Sequence, residues 1–276
     1  MHQFDIQYQN VLRRILNEGG EEYNERTGHR TLALPGVNFE IDQTFPLLTL
    51  RKIPIRIFVA EQIWFIMGSD DPDIFLSKYT KIWDDFRESD GKIASAYGYR
   101  MRKYFGRDQL RDLVNHLKDQ RGSRHGVVVF WDPADDGLGT GTKKKNIPCP
   151  YTFTANIIEN KLHLHLVIRS NDMMLGCPHD MAGFALMQAI LAAKIGCGVG
   201  KMTLSISNAH IYDIHYEYAR EIVERRNDHP SILFEAQENY LDRAEQGDDS
   251  LVEEIINKLQ SQYNPMAPIK NMEIVL

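Results

Sequence analysis

Apolar residues at Phe4, Ile6, Val11, Leu12, Ile15 and Leu16 recur at close to helical spacing and predict a helix over residues 4–18. Arg26-Thr27-Gly28 reads as a turn, and Thr31 to Ile41 alternates like a strand. From Pro54 to Met67 the chain is apolar on nearly every side, a buried helix with Glu61 inside it. Leu110 to Leu117 predicts a short amphipathic helix, and the β-branched run Gly126 to Trp131 predicts a buried strand. Ala134 to Asn146 is a Gly- and Lys-rich loop. Tyr151 to Ile158 and Lys161 to Ile168 alternate on either side of Glu159-Asn160, a hairpin-like pair. A long apolar helix over Pro178 to Ile195, a strand over Met202 to Ser207 and a helix over Asp213 to Arg225 follow. Residues 227–262 are polar and highly charged and read as a surface helical excursion. There is no repeat and no flexible linker, so residues 1–276 read as a single α+β domain.

Composition narrows the class without naming an activity. Hydrophobic residues make up 43% and charged residues 25%, as in ordinary soluble chains. No apolar run approaches the roughly 20 residues that span a bilayer, so no membrane association is expected. The first twenty residues lack the apolar core and cleavage site of a signal peptide. Three cysteines without regular spacing argue against a disulfide framework and for a reducing, cytoplasmic setting. A net charge of −6 argues against a DNA-binding surface, yet leaves room for a local basic pocket that holds one phosphate.

The chemistry concentrates in two segments. Cys149 stands between prolines in Asn146-Ile147-Pro148-Cys149-Pro150. Twenty residues later comes Arg169-Ser170-Asn171-Asp172-Met173-Met174-Leu175-Gly176-Cys177-Pro178-His179-Asp180. Together they offer a thiol nucleophile, an arginine for thiolate and phosphate, and a carboxylate that can read a ligand. An isolated cysteine is ordinarily a packing residue, and Cys177 and Cys197 are read that way. Arg169 alone would be a surface residue and Ser170-Asn171-Asp172 a plain turn. His163 and His165 share a strand face, but two ligands make no metal site, and no metal is expected. Gly137 to Lys145 lacks the Gly-Lys-Ser/Thr ending of a phosphate loop. The acidic stretch Glu245 to Glu254 reads as a solvated face.

The two segments resemble the thymidylate synthase family, with its Pro-Cys nucleophile and its later Arg-Ser-x-Asp-x-x-Leu-Gly-x-Pro-x-Asn. Six further segments between Glu25 and Tyr212, with a matching C-terminus, are similar to the family in the same order. Glu25-Arg26-Thr27-Gly28 looks like its phosphate-arginine turn, and Ala60-Glu61-Gln62-Ile63-Trp64-Phe65 like the helix with an active-site glutamate. Lys81-Ile82-Trp83-Asp84 carries the folate-lining tryptophan, and Ala96-Tyr97-Gly98 the tyrosine near the reacting carbon. Gly122-Ser123-Arg124-His125 stands where the family has a pair of arginines that reach the partner's phosphate site. Asn208-Ala209-His210-Ile211-Tyr212 matches the sugar-holding His-x-Tyr, and Tyr263-Asn264-Pro265 with Ile269-Lys270 resembles the C-terminal tail.

The resemblance implies a thymidylate synthase-like fold: a mixed β-sheet with flanking helices, the sheet lying at the interface of a homodimer. It implies Cys149, Glu61, Tyr97, Asp180 and Arg169 as catalytic residues. Arg26, Arg124, His125, Arg169, Ser170, Asn171, Asp180, His210 and Tyr212 would bind a pyrimidine nucleoside monophosphate. Trp83, Asp172, Leu175 and Gly176 would bind 5,10-methylenetetrahydrofolate, the co-substrate. One departure redirects the reading, because Asp180 stands where the family has an asparagine that pairs with uracil. Cytosine donates from N4 and accepts at N3, a pattern that suits a carboxylate sharing one proton. Asp180 therefore points to CMP or dCMP, as in the deoxycytidylate hydroxymethylase branch. Pro150, where the family has histidine, and Arg169-Ser170-Asn171-Asp172 agree with that branch. His125 in place of one arginine predicts weaker or pH-sensitive phosphate binding. Methylation of (d)CMP or of dUMP, and a non-catalytic nucleotide-binding regulator, stay open as alternatives.

Overall fold

The computed structural model describes residues 2–139, 146–269 and 272–275. Helix α1 (Gln3–Glu18) buries Phe4, Tyr8, Val11, Leu12 and Ile15, the stripe that its 3.6-residue spacing sets up. Strand β1 (Gly20–Asn24), which has no alternating pattern to announce it, turns through residues 25–28 into β2 (His29–Ile41). Helix α2 (Ile55–Met67) is buried along most of its length and ends at Gly68 in the left-handed conformation. Tyr97–Tyr99 forms a single helical turn, α3, which widens into a π-helical stretch over Arg100–Tyr104. Helix α4 (Gln109–Asp119) follows, with the Asp108 side chain capping it by accepting from the Arg111 N–H.

Strand β3 (Val127–Val129) corrects the expectation of a buried strand. Val128 is fully buried, but Val127 is 50% and Val129 36% exposed, because β3 is an edge strand with one open face. β-branched side chains favour a strand on either face, so they do not report which one is covered. Strands β4 (Pro150–Ile158) and β5 (Lys161–Ile168) form the expected antiparallel hairpin. Its turn residues Glu159 and Asn160 both have positive φ, 50° and 57°, as a two-residue hairpin turn of matching twist requires. The two-residue strand β6 (Asn171–Asp172) leads into the twenty-residue helix α5 (Gly176–Ile195). Strand β7 (Gly198–Tyr212) is longer than its apolar segment predicts and carries His210 and Tyr212 at its end.

The remaining helices are α6 (Tyr216–Glu224), α7 (Tyr240–Glu245) and α8 (Asp249–Gln260). The last two overturn the reading of 227–262 as a surface excursion. Tyr240, Leu241, Ala244, Leu251, Val252, Ile255 and Leu259 are fully buried, and both helices pack on α2. Their charges lie on the outer sides, where Arg243 pairs with Asp248 and Glu254. High charge density hid a narrow apolar stripe.

Among the described residues the strands make one mixed seven-stranded sheet in the order β1-β2-β7-β5-β4-β3, with β6 on β7. One face is wholly apolar: Val37, Phe39, Ile41, Leu162, Leu164, Leu166, Ile168, Met202, Leu204 and Ile206 are buried there. The other carries Asn38, Glu40, His163, His165, Thr203 and Ser205, and no helix among the described residues covers it. On that open face Ser205 links His165 to Asn38 in a short hydrogen-bonded chain, and His163 Nδ1 accepts from the Lys201 N–H.

Candidate active site

Backbone pairing alone brings the two chemical segments together. Pro150 of β4 lies opposite Ile168 of β5. Cys149 precedes the first and Arg169 follows the second, so the two are neighbours, and the Arg169 N–H donates to Cys149 O at 2.9 Å. The Arg169 guanidinium bends back over the same segment. Nε donates to Pro148 O at 2.9 Å and Nη2 to Ile147 O at 3.0 Å, with Nη2 3.9 Å from Cys149 Sγ. Trp131, at the end of the strand-like run Gly126–Trp131, has its ring centroid 5.9 Å from that guanidinium. Trp131 and the two carbonyls are partners that the sequence does not announce.

The thiol of Cys149 is half-buried, and its desolvation pushes its pKa up. Arg169, Arg26 and a hydrogen-bond interaction with Tyr97 pull it down, while Asp180 raises it. Desolvation wins, so the thiol is neutral at neutral pH. Positive charge at Arg169 does not by itself produce a resting thiolate. Arg26 sits on the exposed turn before β2, and its charge bears on both Cys149 and Tyr212.

Helices α2 and α5 cross behind the thiol. Gly183 lets them approach, since a Cβ there would meet Gln62 Nε2 at 2.5 Å. Glu61 from α2 and Asp180 from the second turn of α5 thereby face the same space. Burial raises Glu61 to about 8, with a bond from Trp83 opposing and the charge of Asp180 adding to the shift. Burial likewise raises Asp180 to about 7, opposed by its bond from Asn171 and helped by Asp172. Carboxyls enclosed together cannot all ionise cheaply, so this cluster stores protons at neutral pH. Tyr97 is half-buried beside them, and its hydroxyl is held well above the ordinary phenol range by desolvation and by Cys149, Asp180 and Glu61.

Trp83 is only 6% exposed and packs edge-on against Trp64, Phe65, Phe86 and Tyr97. Asp172 Oδ1 accepts from the Met174 N–H at 2.8 Å, which leaves Oδ2 without a partner among the described residues. Leu175 and Gly176 form the start of α5 next to it. Arg51, fully enclosed and unmarked in sequence, donates to Met174 O and fixes this bend. The aromatic wall and the open carboxylate oxygen fit a flat, N–H-bearing ring such as a pterin.

His210 and Tyr212 lie at the end of β7, ring centroids 5.0 Å apart, with Asn208 Oδ1 at 3.0 Å from His210 Nδ1. Burial lowers the His210 pKa, so this imidazole is neutral. Ser170 is half-buried beside Arg169. Arg124 and His125 stand apart. They are exposed just before β3, where Gly126 pairs with Ala155, six residues along β4 from Cys149, or roughly 20 Å. They cannot reach the thiol of their own chain.

The described part of the C-terminal tail is docked against the body of the fold. The Tyr263 hydroxyl accepts from the Ile53 N–H and contacts Leu48 O and Arg51 O, Met266 N donates to Thr49 O, and His215 Nε2 lies 3.0 Å from Glu273 O. Lys270 and Leu276, and the loop residues 140–145, lie outside the described residues.

The thymidylate synthase family model matches residues 6–272, nearly the whole chain. The mixed sheet with flanking helices agrees with that match. This chain therefore belongs to the thymidylate synthase family, whose members transfer a one-carbon unit from methylenetetrahydrofolate to a pyrimidine nucleotide.

Proposed function

We propose that the chain adds a one-carbon unit to C5 of a cytidine monophosphate, CMP or dCMP, and releases the 5-hydroxymethyl nucleotide. The observation that carries this reading is Asp180: a half-buried carboxyl whose pKa desolvation raises to about 7, sharing the space of Cys149, Glu61 and Tyr97. Such a group can accept from cytosine N4–H and share a proton with N3. Arg26, Arg169 and Ser170 would hold the phosphate, and His210 and Tyr212 the sugar. Cys149 Sγ adds to C6 of the ring and its proton leaves through Tyr97 or water. Negative charge then builds towards N3, where the Asp180 proton neutralises it. Stabilisation that grows with developing charge accelerates the step. Glu61 takes the C5 proton as C5 bonds to the methylene carbon, water adds at that carbon as the folate nitrogen leaves, and expulsion of Cys149 Sγ from C6 frees the 5-hydroxymethyl nucleotide. Bound methylenetetrahydrofolate supplies the carbon at the methylene level, with Trp83, Asp172, Leu175 and Gly176 holding it.

We further propose a two-fold homodimer through the open sheet face, in which Arg124 and His125 serve the neighbour's phosphate. The distance between Arg124 and Cys149 within one chain supports this.

The docked tail favours a second reading, methylation at the same carbon, because a closed tail keeps water from the intermediate. Incubation with CMP, dCMP, UMP and dUMP plus methylenetetrahydrofolate, followed by product mass analysis, separates the readings. A 5-hydroxymethyl cytidylate is expected. A methylated product establishes the second reading, and turnover of uridylates alone removes the cytosine assignment.

A further inference from the structure

Asp180 raises a problem that its own chemistry does not solve. A neutral carboxylic acid has one donating and one accepting oxygen, and the proton can sit on either. With the proton on the oxygen nearer N3 it fits cytosine. With the proton on the other oxygen it fits uracil equally well, donating to O4 and accepting from N3–H. A free acid at this position would read both bases.

The structure supplies a partner that breaks this symmetry. Asn171 Nδ2 donates to Asp180 Oδ2 at 2.9 Å. Asn171 is 3% exposed and is fixed by β6, where it pairs with Ala209 of β7. Its Oδ1 is buried without a hydrogen-bond partner among the described residues. It lies against Gly176, where a Cβ would meet it at 2.9 Å. An amide N–H pointed at Oδ2 favours the proton on Oδ1, since the carbonyl oxygen of a carboxylic acid is a stronger acceptor than its hydroxyl oxygen.

We propose that Asn171 places the acid proton of Asp180 on Oδ1, and so gives the carboxyl a single polarity towards the base. This inference rests on the cytosine reading above: Oδ2 would then accept from N4–H while Oδ1–H donates to N3. Asn171 acts through Asp180 and is a positioning residue. The titratable groups facing Asp180 are Glu61 from α2, Tyr97 from α3, Cys149 before β4, Asp172 from β6 and Cys177 from α5. None is a cation, so nothing else among them competes to orient the proton.

The test compares kcat/KM for CMP against UMP, and for dCMP against dUMP, in wild type, Asn171→Ala, Asn171→Ser and the near-isosteric Asn171→Asp. Loss of the donor should reduce the cytidylate preference about tenfold or more, the scale of one mismatched buried group. Asn171→Ser, which keeps a donor, should retain more of the preference than Asn171→Ala. The alkaline limb for cytidylate should move to higher pH in Asn171→Ala and Asn171→Asp, because the bond that lowers the Asp180 pKa is gone. A base ratio that stays at the wild-type value while both activities fall in parallel would overturn the proposal and leave Asn171 as packing. A wild type that prefers uridylate would end the cytosine reading instead. In that case a ratio relaxing towards unity in the variants still supports proton placement, and an unmoved ratio ends it too.

Discussion

Trp83 donates its indole N–H to Glu61 Oε1 at 2.7 Å, and the same indole stands edge-on to Tyr97. The aromatic wall around Trp83 and the proton-storing carboxyl are thus one hydrogen-bonded unit. Burial raises the pKa of Glu61 to about 8 even with this bond pulling it down. Trp83→Phe keeps an aromatic ring and removes the donor. The limb of the kcat pH profile that Glu61→Gln abolishes should therefore shift upward in Trp83→Phe. A limb that stays in place would show that the indole bond does not tune Glu61.

Cys149→Ser tests the nucleophile. A hydroxyl is far less nucleophilic than a thiol at neutral pH. Turnover should be lost, together with exchange of the nucleotide's C5 hydrogen for solvent, while nucleotide binding by calorimetry stays largely intact. Near-normal C5 exchange in this variant would rule out addition at C6.

Most helices and the central hairpin were legible because apolar spacing and turn residues report them directly. Glu159-Asn160 marks its own turn. The opposite failure at α7 and α8 is instructive. Leu251, Val252, Ile255 and Leu259 keep helical spacing, but the charged residues between them dominate any average over the segment. β1 was invisible because Gly20–Asn24 is exposed or half-exposed throughout and takes its place by backbone pairing with β2. At the site, the ordered motifs identified Cys149, Arg169 and Asp180 as a set. The bond from Asn171 to Asp180, the carbonyls that Arg169 holds and the desolvation that raises the Cys149 pKa depend on three-dimensional approach, and a linear motif does not encode them.

Storing a proton on Asp180 has a cost in stability that pH reveals. Its folded pKa, about 7, lies above its ordinary value of 3.8. The acid form is tolerated in the fold, so no penalty exists below about pH 4. As pH rises towards 7 the unfolded chain ionises first, and wild type loses stability across that window. Asp180→Asn removes the titration. Relative to wild type it should gain on the order of 2–4 kcal/mol between pH 4 and pH 8. Denaturant unfolding at each pH measures this, and a flat difference between the two proteins would contradict the raised pKa of Asp180.

If Arg124 serves the neighbouring site, inactive variants should complement one another. Arg124→Ala and Cys149→Ser each damage a different part of one composite site. A mixed dimer carries one site with both residues intact. Mixing the two after subunit exchange should recover up to about one quarter of wild-type activity, given random pairing into symmetric dimers. Exchange shown by labelled subunits, with no recovered activity, would mean that the sites are not shared.

Asp180→Asn also tests which base the site reads. With Asn171 in place the new amide turns its carbonyl to the Asn171 NH2 and stays matched to cytosine. Paired with Asn171→Asp, whose carboxylate accepts from the new NH2, it holds its NH2 towards O4 and its carbonyl towards N3–H and matches uracil. Against cytosine, the same orientation sets NH2 against the N4 amine and the carbonyl against the N3 lone pair. Each mismatch in an enclosed site costs about 1–3 kcal/mol. Two of them suffice to reverse a preference of a hundredfold. The ratio of kcat/KM for cytidylate over uridylate, measured with the same sugar on both bases, should therefore fall steeply or invert in the double variant. Gain of uridylate turnover is the more telling half, since a damaged site loses activity on every substrate but acquires none. An unchanged ratio in the double variant, or a wild type that already favours uridylate, would mean that Asp180 does not select cytosine, and the carboxyl would then be left with proton storage alone.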